Sequence, residues 1–133
     1  MIRHSELPLL RADDDGLARV RDLVGNAIVD RRLWIMFVDG DGRQSPVIMP
    51  IDDLPFAPEP SLMGGLEHVL GGLRDELATD RAGSVMFTLE RRGPDDVLAG
   101  DLAWAEALRS ACLDAGVEVR GMFLSTPRGV RRL

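Results

Sequence analysis

The chain of 133 residues has no lysine and no tyrosine, and it has one cysteine and two histidines. All 16 basic residues are arginine, whose guanidinium keeps its proton, so chemistry that starts from a neutral lysine amine is excluded. The single cysteine, Cys112, excludes an internal disulfide and any zinc or iron–sulfur site built from several cysteines. His4 and His68 leave few groups for metal binding or acid–base catalysis.

Long hydrophobic runs are also missing. No stretch approaches the ~20 consecutive apolar residues that span a membrane. No apolar segment follows Arg3, so we expect no secretory signal and a cytoplasmic location. Acidic residues outnumber basic ones by 22 to 16, which gives a formal charge of −6. Because this excess repels phosphate groups at long range, we expect the protein to bind neither nucleic acid nor an anionic membrane.

The overall composition is that of a folded domain. Hydrophobic residues make up 45% of the chain, and 133 residues suit one domain. Residues 1–11 lack hydrophobic periodicity and contain Pro8. We therefore predict an N-terminal arm over residues 1–11 and a single domain over residues 12–133.

Two segments have a plain helical period. After Asp13-Asp14-Asp15, apolar residues recur at spacings of three and four as far as Ile28, which predicts a helix with Arg31-Arg32 near its C-terminal end. The same period from about Gly100 to Ala115 predicts another helix. Gly116 is placed for the left-handed conformation that commonly ends a helix.

A further apolar stripe predicts a glycine-rich helix between these two. The stripe runs from Leu62 to Leu77, and Ser61 can cap its start. The pairs Gly64-Gly65 and Gly71-Gly72 lie inside it and together cost roughly 4 kcal/mol of helix propensity relative to alanine. We expect close packing against a strand or another helix to offset this cost, the alternative being a break at Gly71-Gly72. A phosphate-binding loop is not indicated, because such loops follow a strand and open a helix.

Apolar runs predict the strands. There are four of them, with a short fifth at the end of the chain: 33–38, 47–51, 84–89, 117–124 and 130–133. The first and third lack polar alternation, so we expect both of their faces to be covered in the centre of a sheet. Pro46 and Pro50 place the second strand at an edge.

The residues Asp39-Gly40-Asp41-Gly42 between the first two strands predict a hairpin turn. A calcium loop would also need oxygen ligands from the side chains of Arg43 and Pro50, which have none to give. The element order is α-β-β-α-β-α-β. We therefore expect a single α+β or α/β domain with a mixed β-sheet and helices packed against it.

No set of side chains suggests catalysis. Cys112 lies on the inner face of its helix, where a buried and inert thiol is expected. The adjacent acids Asp52-Asp53 and Asp95-Asp96 stay solvated, so their pKa values do not separate as acid–base catalysis requires. We predict no catalytic residue, no metal site and no cofactor. The candidate binding residues are arginines, one acid and one aromatic side chain of the kind enriched at interfaces: Arg91, Arg92, Asp101, Trp104 and Arg128.

From Ser84 onward the chain resembles the C-terminal part of a RadC-like JAB (JAMM) domain. A strand, Ser84–Leu89, is followed by a loop with Gly93-Pro94 and by a helix that opens at Asp101. The hairpin and the glycine-rich helix before it fit the order of that family from Leu33 onward. The resemblance implies a topology of the JAB or cytidine-deaminase type. The chain also resembles a group of short proteins from GC-rich bacteria.

The resemblance also implies a lost metal site. The family binds its metal with two histidines and an aspartate, and a glutamate acts on the bound water. Asp101 falls at a ligand position, but the histidine positions fall within Leu89 to Arg92, where no histidine is present. The fixed charges of Arg91 and Arg92 repel a cation. The resemblance therefore implies a metal-free domain without peptidase activity.

Three functions follow as hypotheses. The first is a non-catalytic interaction module or scaffold, whose partner is another protein or a second copy in a homodimer. The second is an enzyme acting on a small anionic substrate bound by Arg91, Arg92 and Arg128, which requires the arginine loop and the C-terminal turn to meet. Its acid–base group would be one of Asp101, Glu90 or His68. The third, a DNA-binding accessory protein, conflicts with the acidic balance of the chain.

Overall fold

The computed structural model describes residues 9–10, 13–77 and 83–133. Three helices are present in these ranges: α1 (Asp13–Leu23), α2 (Pro60–Leu77) and α3 (Ala99–Ala115). Five strands accompany them: β1 (Arg32–Val38), β2 (Gln44–Ile51), β3 (Ser84–Glu90), β4 (Glu118–Thr126) and β5 (Gly129–Arg132). The chain is a single mixed α+β domain. The predicted element order is confirmed, including the short final strand.

The strands form one mixed sheet in the order β2-β1-β3-β4-β5. Strand β1 is antiparallel to β2 and β3, β3 is parallel to β4, and β4 is antiparallel to β5. The predicted central positions of β1 and β3 and the edge position of β2 are confirmed. Helix α3 connects the parallel strands, so β3 and β4 end at the same side of the sheet, where β2 also ends and β1 begins. We call this side the carboxyl end.

Helices cover both faces of the central strands, and successive strand residues point to opposite faces. One face packs against α2 and α3 through a core that includes Ile35, Phe87 and Leu108. The other face packs against α1 through a second core that includes Met36 and Phe123. This arrangement explains why β1 and β3 are continuous apolar runs.

Helix α1 ends earlier than predicted. It ends at Leu23, and Gly25 takes the left-handed conformation (φ +67°) while its N–H donates to the carbonyl of Val20. The N–H of Ala27 donates to the carbonyl of Thr126 in β4 at 3.0 Å. The prediction that the helix reaches Arg31-Arg32 is therefore wrong, because the backbone after Gly25 finds its partners in the sheet.

Helix α2 differs from its prediction in two respects. It begins at Pro60, one residue before the predicted cap Ser61, and proline suits the first helical position. The helix is continuous through Gly71-Gly72. A methyl group placed on any of its four glycines would meet no atom of the described residues within 4 Å. The prediction of close packing is therefore wrong, and the glycines border open space.

The predicted hairpin turn between β1 and β2 is confirmed. The Asp39 carboxylate accepts the N–H groups of Asp41 at 2.9 Å and Arg43 at 3.1 Å, which fixes the turn. The N–H of Leu10 donates to the carbonyl of Gly42 at 2.7 Å, and Leu10 is buried. Most of the predicted arm, residues 1–8 and 11, lies outside the described residues. In the described ranges, none of the helices is long and apolar enough to cross a bilayer.

We expect the substitution Gly72→Ala to raise the free energy of unfolding by about 0.5–1 kcal/mol, because Gly72 is helical, exposed and free of neighbours at its Cβ position. Urea denaturation measures this change. Gly121→Ala is the matched control, because its methyl group would lie 2.9 Å from the Phe123 ring inside the core. It should lower stability, and a destabilised Gly72→Ala variant would contradict the open environment of α2.

Candidate interaction site

Three of the candidate binding residues meet at the carboxyl end of the sheet. Arg91 directly follows β3, and Asp101 and Trp104 lie in the first two turns of α3. The loop 91–98 joins the end of β3 to the start of α3, so it brings Arg91 opposite Asp101. All three side chains are buried. The sequence therefore selected residues that lie close together, but the structure buries their side chains instead of exposing them to a partner.

Arg91 and Asp101 form a buried ion pair with two parallel hydrogen bonds. Nε of Arg91 donates to Oδ1 at 2.8 Å, and Nη2 donates to Oδ2 at 2.7 Å. Each side chain is only 7% exposed. Oδ2 also accepts the N–H of Leu98, the residue before α3, at 2.9 Å. This bidentate geometry is the strong form of an arginine–carboxylate contact. Together with the bond from Leu98, it fixes the start of α3.

The remaining donors of Arg91 hold the loop itself. Nη1 donates to the carbonyls of Arg92 at 3.1 Å and Pro94 at 2.8 Å, and Nη2 donates to the carbonyl of Asp96 at 2.9 Å. With the two bonds to Asp101, these contacts use the five N–H groups that a guanidinium carries. Arg91 therefore has no donor left for a bound anion.

The pair stays ionised because its attraction exceeds the cost of burial. Burial alone would raise the pKa of Asp101, but hydrogen bonds from Arg91 and Leu98, together with the charges of Arg91 and Arg31, hold that pKa below its usual value. The hydrogen bond to Asp101 raises the pKa of Arg91 in turn. The oxygens of Asp101 are thus committed to a guanidinium and a backbone N–H.

A second arginine fixes the loop between β2 and α2. Arg31 has a left-handed backbone (φ +61°), and Asp53 has one as well (φ +57°). Nε of Arg31 donates to the carbonyl of Leu54 at 2.9 Å, and Nη2 donates to that of Pro55 at 2.8 Å. Its guanidinium lies 4.4 Å from the centre of the Phe56 ring. The hydrogen bonds of Arg31 and the left-handed backbone of Arg31 and Asp53 therefore fix the loop backbone beside Phe56. The contact with the Arg31 guanidinium orients the Phe56 ring.

Trp104 supports the same loop from below. Its ring is 1% exposed, and its Nε1–H donates to the carbonyl of Pro55 at 3.1 Å. Trp104 thus lies in the core, and its hydrogen bond to Pro55 links the core to the loop between β2 and α2. Phe56 is the exposed member of this group, with 81% of its surface accessible.

Sequence reasoning missed Phe56 and the role of Arg31, because the segment 52–60 has three prolines and resembles a linker. A signal was present in the same prolines. Pro55 precedes the aromatic residue and Pro58 follows it, so the backbone around Phe56 has few conformations.

The two other candidates for acid–base chemistry, Glu90 and His68, lie in different parts of the domain, at the end of β3 and on α2. Glu90 is 2% exposed, and its carboxylate accepts Nε1–H of the half-buried Trp34 at 2.9 Å and the N–H groups of Ile28 and Val29 at 2.8 and 3.2 Å. Glu90 thereby secures the segment that follows α1. His68 is exposed on α2.

The remaining two candidates, Arg92 and Arg128, are exposed. The arginine loop and the C-terminal turn do meet, because Nη1 of Arg131 donates to the carbonyl of Asp95 at 3.1 Å. Asp95, Arg128 and Arg131 line a concavity at this contact. Arg91 has no free donor there, so the predicted three-arginine anion site is reduced to surface residues.

The groups that could take part in metal or thiol chemistry are dispersed or buried in the described residues. In the described part of the chain, no three His, Cys, Asp or Glu residues lie close enough together to hold a metal ion. Cys112 is 1% exposed, as predicted, and burial raises the pKa of its thiol to about 11.

With this geometry established, the chain was compared with known proteins. No protein-family model, no curated protein and no solved structure gave a significant match.

We expect Asp101→Asn to lower the free energy of unfolding by about 3–5 kcal/mol, because it leaves the buried charge of Arg91 without its partner. Urea denaturation measures this loss. Asp14→Asn is the control, since it removes the exposed ion pair with Arg132 (3.3 Å) and should change little. Equal effects of the two substitutions would contradict a stabilising role for the buried pair.

The same pair predicts a pH dependence. Because the pKa of Asp101 is lower in the folded state, its contribution is complete above the unfolded value of 3.8 and is lost as pH falls from there through the folded value. Unfolding curves of the wild type and Asp101→Asn should therefore converge in strong acid. A stability difference that is constant from pH 7 to pH 2 would contradict the ionised pair.

We expect Cys112 to be unreactive towards a thiol reagent such as DTNB at pH 8 in the native protein, because it is buried and its pKa of about 11 leaves little thiolate. The reaction should become fast in 6 M urea, on the order of ordinary unfolded thiols. Rapid labelling of the native protein would show that α3 opens readily.

Proposed function

We propose that the protein is a non-catalytic protein-interaction domain whose contact surface is centred on Phe56. The observation that carries this proposal is an aromatic ring that is 81% exposed and yet fixed through Arg31 and Trp104. A phenylalanine ring with this exposure buries little apolar surface in the folded monomer. A rigid aromatic side chain loses little entropy on binding, and such residues supply much of the affinity at protein interfaces.

Backbone strain supports the proposal. Arg31 and Asp53 are the non-glycine residues with positive φ among the described residues, and both lie beside Phe56. Strain of this kind costs of order 1–3 kcal/mol per residue and clusters where a fold presents a binding group. The same loop therefore combines a cost to stability with an exposed apolar ring.

Neighbouring loops extend the surface. Ile28, before β1, is 78% exposed, and Leu98, before α3, is 42% exposed. Both lie at the carboxyl end of the sheet with Phe56. Arg92, after β3, and Arg128, after β4, are exposed at the same end of the sheet. An apolar centre with a polar rim is the usual anatomy of a protein interface, so the partner is another protein or a second copy of this chain.

The Arg91–Asp101 pair supports a non-catalytic role. The charged groups that an active site would use here are hydrogen-bonded to each other and to the loop. The resemblance to RadC-like JAB domains implies the same. It would place Asp101 at the family's aspartate position and leaves its histidine positions without histidine, and the Asp101 carboxylate binds a guanidinium.

The alternative, an enzyme for a small anionic substrate, has less support. Arg91 was its first ligand, and the five N–H groups of that side chain are used within the protein. Arg92 and Arg128 remain as exposed residues.

We expect Phe56→Ala to weaken partner binding about 30-fold, corresponding to ~2 kcal/mol for the loss of an aromatic anchor, without lowering the melting temperature. Affinity capture on the immobilised protein with quantitative mass spectrometry, together with sedimentation of the free chain, measures the loss. Leu113→Ala is the matched control, because Leu113 is also 81% exposed but lies at the far end of α3.

Partners or self-association present with wild type and with Leu113→Ala, and lost with Phe56→Ala, would support the proposal. A partner retained equally by all three proteins would show that Phe56 is not the anchor. A monomer that captures nothing in any form would overturn the interaction function itself.

A further inference from the structure

A second apolar surface, which does not include Phe56, lies between α2 and the edge strand β2. Helix α2 leaves part of the inner face of β2 open, and a groove of about 340 Å³ runs between them. Its lining is almost wholly apolar and includes Ile35, Met49, Ile51, Leu62, Gly65 and Val69. This volume lies within the range of pockets that take a ligand.

Glycine forms part of the groove wall. A methyl group placed on Gly65 would meet no described atom within 4 Å, so it would project into the groove. The absence of a side chain there widens the groove, at a cost to helix propensity. An occupant that contacts the bare wall would provide the missing contacts.

The shape of β2 favours a helix over an added strand. Pro46 and Pro50 lie four residues apart in the edge strand, and neither carries an N–H. A strand added at this edge would lose main-chain hydrogen bonds at both residues. A helix makes no such bonds and fills a groove with side chains from one face, spaced at i, i+3, i+4 and i+7.

Charges around the groove favour a basic partner. Asp53 and Glu59 are exposed at the end where β2 leads into α2, and Glu76 is exposed two turns beyond Val69 on the same helical face. The one arginine of α2, Arg74, donates to the Ala115 carbonyl at 2.6 Å and so faces α3. A second copy of the chain would bring like charges together at this surface.

We propose that this groove binds an amphipathic helix of a partner protein, with large apolar residues on one face and lysine or arginine at both ends. The proposal does not depend on Phe56, which lies in the loop between β2 and α2 and does not line the groove. It assigns a role to Gly65, whose Cβ position meets no atom of the described residues within 4 Å.

The experiment selects ligands from a phage-displayed library of helical peptides on the immobilised full chain. Selected peptides should have the apolar spacing above and basic ends, and they should shift the NMR methyl signals of Met49 and Ile51. Gly65→Leu should weaken their binding at least tenfold. Gly64→Leu is the matched control, because Gly64 also borders open space but does not line the groove, and it should leave binding unchanged.

Further variants separate this proposal from the previous one. Phe56→Ala should leave peptide affinity unchanged, whereas the triple substitution Asp53→Asn, Glu59→Gln, Glu76→Gln should reduce it and weaken its dependence on salt. Peptides that bind Gly65→Leu as well as wild type would overturn the proposal. Selection of acidic peptides, or a dimer of the free chain that Gly65→Leu dissociates, would overturn it as well.

Discussion

The carboxyl end of this domain depends on one buried ion pair. Removing two charges from water is costly, and the cost is recovered only where the geometry is good and every donor is satisfied. Arg91 meets that condition by bonding Asp101 and three loop carbonyls at once. One side chain thereby ties the end of β3, the following loop and the first turn of α3. The loops that carry exposed apolar residues are built on this fixed base.

Local patterns were enough to predict the strands and their positions. Unbroken apolar runs indicated that β1 and β3 are covered on both faces, and Pro50 indicated an edge. The end of α1 could not be predicted in the same way. The groups that receive its continuing backbone, Thr126 and Glu90, lie about 60 to 100 residues further along the chain.

The candidate site was predictable in membership but not in exposure. Arg91, Asp101 and Trp104 are neighbours because they flank one short loop, which sequence proximity reveals. Whether they face solvent depends on the loop between β2 and α2, which lies some 40 residues earlier and covers Trp104 through Pro55. Phe56 escaped prediction for the converse reason, since its rigidity comes from the distant partner Arg31.

The two edges of the sheet have a consequence for behaviour at high concentration. Strand β2 contains Pro46 and Pro50, and β5 is four residues long and carries Arg131 and Arg132. Short, charged or proline-bearing edges oppose the strand-to-strand stacking that leads to aggregation and amyloid. The sheet edges therefore oppose strand pairing between molecules, even though the loops expose apolar side chains.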